Sequence, residues 1–130
     1  GGPLGVGSFK NREKEVYDAW KKNIVSLAKC EYVFAKLGGI AMEINGHDWH
    51  KKSLPPSSDE LINKTLHYYE TTIESFGVER CMFESNFPVY KISCIYLNLW
   101  NSFKKMTAHY SKRERSYLFH DTASNVYKLN

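Results

Sequence analysis

Two short apolar runs set the strongest limit on how this chain folds. Tyr32 to Leu37 and Arg80 to Glu84 carry aromatic and aliphatic bulk and are too short for helices, so both read as strands. Between them Ile62, Leu66, Tyr69, Ile73 and Phe76 recur at helical spacing. Ser57 and Glu60 fit a capping box at the start of that helix, and Gly77 stands where a glycine would stop it. Strands joined through a helix pair in parallel, which makes the fold class α/β. Parallel sheets are normally covered on both faces. Two strands with their helices are therefore incomplete on their own, and the missing strands are expected from an N-terminal region or from a second copy of the chain.

The flanking pattern agrees. Val16, Trp20, Ile24 and Leu27 give one apolar face to a helix from Glu13 to Lys29. After Pro88, which ends the second strand, Ile95, Leu99, Phe103 and Met106 form another helical face. A second capping box, Ser111 to Glu114, opens a last helix running through Leu118, Phe119, Ala123, Val126 and Tyr127. Between Met42 and Ser58 there is no periodicity, but Gly46, Pro55 and Pro56 mark a long loop. Long loops in compact domains tend to be functional.

Charge and cysteine content narrow the partners. The net charge of +4 is mild, and basic residues are interleaved with acids, as in Lys10-Asn11-Arg12-Glu13-Lys14-Glu15. These are solvated helix faces, so no nucleic acid is expected. Apolar stretches fall short of the roughly 20 residues of a membrane span. Cys30, Cys81 and Cys94 form no CxxC pair and read as reduced, mostly buried thiols in a cytoplasmic protein. The start, Gly1-Gly2-Pro3-Leu4, has neither the basic nor the apolar region of a signal peptide and reads as the middle of a longer fold. The 130 residues are too few for a whole (β/α)8 barrel, which takes roughly 250.

In α/β barrels the reacting groups sit on loops at the carboxyl ends of strands. That rule selects the Gly1–Ser8 loop, the Gly38–Pro56 loop and Glu84-Ser85-Asn86. The first lacks the pattern of a phosphate-binding loop. The second holds His47-Asp48-Trp49-His50, where His50 and Trp49 are candidates for lining a substrate pocket. The third places a carboxylate, Glu84, at the end of an apolar strand. An unpaired buried charge is costly, so Glu84 is expected either in a polar site or paired with Arg80 or Lys36. Lys36 is itself a charge in an apolar run. His109 and His120, on the closing helices, read as surface or capping residues. Ser85 is not in a G-x-S-x-G elbow, which sets aside a serine hydrolase.

The run Arg80-Cys81-Met82-Phe83-Glu84-Ser85-Asn86-Phe87-Pro88 resembles the eighth-strand signature of the amidohydrolase-related, metal-dependent hydrolases of TIM-barrel fold. Lys36-Leu37-Gly38-Gly39 resembles the family's seventh strand, and Gly1-Gly2-Pro3 the turn after the sixth. Leu99-Trp100-Asn101-Ser102-Phe103-Lys104 and His120-Asp121-Thr122-Ala123 resemble its closing helices. The resemblance runs nearly end to end. It implies that residues 1–130 are the C-terminal part of one (β/α)8 barrel, about the last two strands and their helices, with the active site at the strand carboxyl ends.

The resemblance further implies a hydrolase that sends water onto a lactone- or amide-like bond of a small carboxylated or cyclic substrate. It also implies a divalent metal, zinc or manganese, in the intact protein, bound largely by histidines after earlier strands. The family's aspartate after the eighth strand matches Asn86 here, and Tyr90 stands where relatives place an acid after Pro-Val. An amide cannot act as a general base and is a weaker ligand than a carboxylate. Glu84 and Asn86 are therefore the catalytic candidates, Lys36, Trp49 and His50 the substrate-binding ones, and no residue of this chain is assigned to metal. The alternatives are a decarboxylase on the same barrel and a non-catalytic barrel fragment or partner-binding scaffold. The chain by itself is expected to be inactive.

Overall fold

A computed structural model describes residues 6–129; the expected Gly1-Gly2-Pro3 turn lies outside them. Among the described residues five α-helices accompany a two-stranded sheet: α1 Glu13–Ala28, β1 Ala35–Leu37, α2 Ser58–Phe76, β2 Cys81–Phe83, α3 Tyr96–Met106, α4 Lys112–Ser116 and α5 Thr122–Tyr127. A π-helical turn, Tyr117–Asp121, joins α4 to α5 and makes the closing segment one continuous helical run. The strands are parallel, as the helical crossover requires, with Ala35 opposite Cys81, Lys36 opposite Met82 and Leu37 opposite Phe83.

The strands are shorter than the sequence indicates. Tyr32 is 94% exposed and precedes β1 in a turn closed by Val33 N–H donating to Cys30 O at 3.1 Å. Aromatic bulk therefore overstates β1. Arg80 belongs to a 3-10 turn, Val78–Arg80, before β2. Its guanidinium donates to the carbonyls of Phe76, Ala28 and Cys30 at 2.9 to 3.0 Å, so it ties the end of α1 to the end of α2. Glu84 is thus not its partner.

α2 is the spine. Gly77 closes it at φ 79°, a conformation glycine adopts without the Cβ penalty, with its N–H on Ile73 O at 2.8 Å. At the other end Ser57 Oγ accepts Glu60 N–H at 3.1 Å. Only half of the expected capping box forms, because the Glu60 carboxylate is occupied elsewhere. The Ser111–Glu114 box is complete. One face of α2 meets α1 through Tyr17 Oη and Thr71 Oγ1 at 2.8 Å and through Trp20 against Tyr68. The other face closes over β2 and α3, where Phe83 stacks on Phe103 with ring centroids 4.3 Å apart and Tyr69 meets Phe103 edge-on. Phe103, Leu118 and Cys81 are fully buried at the centre of this core.

All three cysteines are free; Cys30 is exposed, whereas Cys81 and Cys94 are buried. Burial pushes the Cys81 thiol up to about 12 and the Cys94 thiol up to about 11, which leaves both unreactive near neutrality. Among the described residues no helix is long and apolar enough to cross a membrane.

Candidate active site

Both strands point their carboxyl ends the same way, so the loops after β1 and β2 share one end of the molecule. At that end Lys36 Nζ meets Glu84 Oε2 at 2.5 Å. The partner of Glu84 is thus Lys36. Glu84 is three-quarters covered, whereas the Lys36 side chain is half exposed. The ion pair raises the Lys36 pKa, first through the hydrogen bond to Glu84 and then through its charge. Glu84 N–H also continues the ladder onto Leu37 O at 3.3 Å, fixing the backbone from which the carboxylate springs.

Asn86 follows two residues later in the left-handed region, at φ 51°, a conformation that asparagine tolerates better than most residues. Its carbonyl accepts Tyr90 N–H at 3.1 Å, and its side-chain Nδ2 is buried without a hydrogen-bond partner. Ser85 Oγ accepts Phe87 N–H at 3.3 Å, so that hydroxyl serves the turn. Tyr90, where the resemblance would place an acid, is fully buried and accepts Ala41 N–H at 2.9 Å. Burial pushes its phenol well above the ordinary range.

The long loop after β1 is more ordered than its sequence indicates. Two 3-10 turns, Glu43–Asn45 and Trp49–Lys51, lie within it. Asn45 donates its side-chain N–H groups to Gly39 O and Ile40 O at 2.8 and 2.9 Å, and Gly46 follows at φ 80°. The Asn45-Gly46 pair is a turn signal that locates this fold-back. Trp49 is buried, stacks on His47 at 4.3 Å and donates its indole N–H to Glu60 Oε1 at 2.9 Å. His50 is half-buried; its Nε2 lies 3.9 Å from Glu43 Oε1, and its Nδ1 is buried without a partner.

Trp49 and His50 line a cleft of about 280 Å³ together with Lys52 and the segment after β2, Lys91 to Ile95. Among the described residues no hydrogen bond, ion pair or ring contact joins them to Glu84 or Asn86. The candidate residues therefore fall in two groups: Lys36, Glu84 and Asn86 at the strand ends, and Trp49 with His50 in the loop cleft. His120 is exposed and pairs with Asp121 at 2.8 Å, and His109 is exposed as well, in keeping with surface roles.

A metal centre does not form from these residues. Among the described residues no three His, Cys, Asp or Glu side chains gather as ligands, and the nearest carboxylate to Asn86 in sequence, Glu84, is engaged by Lys36. An amide nitrogen with no partner is a hydrogen-bond donor, which suits an oxygen of a substrate rather than a cation.

A model of the amidohydrolase family matches residues 1–129. The chain belongs to that family. A protein of Sinorhizobium fredii (strain NBRC 101917 / NGR234), the uncharacterised y4mH, is 38% identical to this amidohydrolase-family chain over 113 residues, 87% of this chain and 34% of its own length. The L-fucono-1,5-lactonase of Burkholderia multivorans is 28% identical over 120 residues, 92% of this chain and 38% of its length. An amidohydrolase of Burkholderia multivorans solved with bound zinc superposes with a TM-score of 0.78 at 23% identity, covering 100% of this chain and 42% of that one. A structure of an amidohydrolase from the same organism with bound HEPES gives 0.79. The α/β arrangement is therefore that of part of an amidohydrolase barrel, and the chain spans well under half the length of the proteins it matches.

Proposed function

We propose that this chain is the C-terminal part of a single barrel domain in a hydrolase that opens a lactone- or amide-like bond of a small carboxylated or cyclic substrate with water. The observation that carries this reading is Asn86, a buried amide donor without a partner at the carboxyl end of β2, two residues beyond the clamped carboxylate of Glu84. A buried donor left unpaired costs about 1–3 kcal/mol. A substrate carbonyl oxygen offsets that cost, and more so as negative charge develops on it. Glu84 Oε2 is held by Lys36, which leaves Oε1 to accept a proton from the attacking water.

In this reading the water oxygen bonds to the carbonyl carbon and the ring C–O bond breaks. The proton taken by Glu84 passes to the leaving oxygen, giving a hydroxy acid. Lys36 acts at the site through Glu84, and Trp49 and His50 contact the remainder of the substrate in the loop cleft. No step is routed through a metal, since the described residues do not gather a ligand set for one. Kinship with a lactonase over most of the chain supports the lactone class.

The test is acid release by the full-length protein from a panel of sugar 1,5- and 1,4-lactones, followed with a pH indicator. The parent is expected to open at least one lactone. Asn86→Ala is expected to lower kcat by about 10²–10³-fold, the cost of losing an oxyanion donor, and Glu84→Gln to lower it as well. Full activity in Glu84→Gln, or release of carbon dioxide in place of a hydroxy acid, overturns the assignment; the latter outcome is that of a decarboxylase.

A further inference from the structure

Gly38 and Gly39 are adjacent at the end of β1, but they are glycines for different reasons. Gly39 has φ 83°, and a side chain there would meet nothing within 4 Å; its requirement is conformational. Gly38 shows the opposite combination. Its backbone is not left-handed, yet a methyl group there would lie 2.2 Å from Glu84 Cγ, 2.7 Å from Oε1 and 2.9 Å from Cδ. The space a Cβ would fill is already filled by Glu84.

We infer that Gly38 and Lys36 are positioning residues that fix the Glu84 carboxylate across the ends of the two strands. Gly38 lets the side chain lie flat against the β1 backbone. Lys36, one position inside the strand and directly opposite Met82, holds Oε2. Two independent constraints thus act on one side chain. The Cγ contact sets where the chain leaves β2, and the ammonium sets where the carboxylate ends. Glu84 Cγ is near the root of the side chain rather than its far end, so a small rotation cannot relieve a methyl group at Gly38. The carboxylate has to leave Lys36.

The role assigned to Glu84 rests on the hydrolase reading above, and the experiment separates the two. In the full-length protein with ¹³C-labelled lysine, the titration of Lys36 is compared between parent and Gly38→Ala. Lys36 is expected to titrate lower in the variant, because its raised pKa depends on Glu84. With any lactone the parent opens, kcat is expected to fall about 10²-fold, the scale of an ångström-level misplacement of a catalytic group, while KM stays nearly unchanged. Lys36→Arg is expected to retain most of the activity and Lys36→Met to lose it.

A folding defect is separated by the double variant Gly38→Ala/Glu84→Ala. Once Cγ is gone, the methyl group fits, so Gly38→Ala is expected to leave the thermal midpoint of Glu84→Ala unchanged. An unaltered Lys36 titration in Gly38→Ala, or the same loss of midpoint in both backgrounds, overturns the clamp. If the parent opens no lactone while the Lys36 titration shifts, the hydrolase reading fails and the clamp stands.

Discussion

The hydroxyl of Tyr90 accepts the backbone N–H of Ala41 at 2.9 Å, and through that single buried group the loop after β2 holds the loop after β1. Both loops carry candidate site residues, Asn86 on one and Trp49 and His50 on the other. Removing the hydroxyl leaves the Ala41 N–H buried without a partner. Tyr90→Phe is expected to destabilise the protein by about 1–3 kcal/mol, read as a lower urea midpoint with an unchanged slope. A midpoint equal to that of the parent would show that water or a shifted side chain replaces the bond.

Arg80 spans three carbonyls, Phe76 in α2, Ala28 in α1 and Cys30 just beyond α1, and lies 5.2 Å from the centre of the Phe76 ring. Arg80→Met keeps much of the apolar stem but none of the donors. Hydrogen bonds to charged groups contribute about 1.5–3 kcal/mol each, but one of the three is exposed and the others only partly buried, so a loss of about 3 kcal/mol in all is expected in urea unfolding. Arg80→Lys, which offers a point charge in place of a planar fork, is expected to restore only part of it.

Asn86 joins a backbone requirement to a side-chain one, and two substitutions separate them. Asn86→Gly accepts φ 51° without strain and is expected to leave stability near that of the parent. Asn86→Ala is expected to be roughly 1 kcal/mol less stable than Asn86→Gly, the cost of a Cβ in the left-handed conformation. Both lose the amide, so both are expected to lose lactone turnover by similar factors. Retained activity in the glycine variant would remove the amide from the chemistry.

Stability near pH 6 is expected to depend on His47. Burial, followed by the charge of Lys64, holds its pKa below the ordinary 6.5. The folded state thus resists a proton that the unfolded chain accepts, and the stability His47 contributes is complete above about pH 6.5. It is lost as the pH falls through the depressed folded value. His67 is lowered as well, mainly by burial, and adds in the same direction. Urea unfolding at pH 8 and pH 5 checks this: the midpoint is expected to fall on acidification, and to fall less in His47→Gln. The lowered carboxylates Asp48, Glu60 and Asp121 titrate below this window.

Periodicity locates α2 well because that helix buries one face, whereas α1 buries only Ala28 and leaves Leu27 exposed. The apolar stripe Ile62, Leu66, Tyr69, Ile73 and Phe76 lies on α2, and Gly77 ends it. Strand ends were less legible, since Tyr32 and Phe34 look like strand residues but lie exposed, and only pairing with β2 decides which residues join the ladder. Position after a strand makes Glu84 and Asn86 candidates, and a charge inside an apolar run makes Lys36 one. The sequence offers Glu84 two cations, Arg80 four residues before it and Lys36 on the other strand, and does not choose between them. Only the fold shows Arg80 turned back onto helix carbonyls.

Other parts of the site left weaker traces. Gly38 is one of two adjacent glycines, and nothing in the sequence distinguishes one that needs a positive φ from one that makes room for a neighbour. Tyr90 reads as a substitution at an acidic position, whereas its burial makes it the link between two loops. The pair Ser57–Glu60 does start α2, but the second half of its capping box is absent because Trp49, 11 residues upstream, takes the same carboxylate.

That competition has a dynamic consequence. Glu60 Oε1 accepts both the Trp49 indole N–H and the Lys52 ammonium, the latter at 2.6 Å, while the Glu60 backbone N–H is held by Ser57. A swing of the loop that opens the Trp49–His50 cleft therefore pulls on the first turn of α2. Deuterium uptake at the amides of Glu60 and Leu61 becomes a clock for loop opening, one that can be read without substrate and that is expected to slow when a ligand fills the cleft.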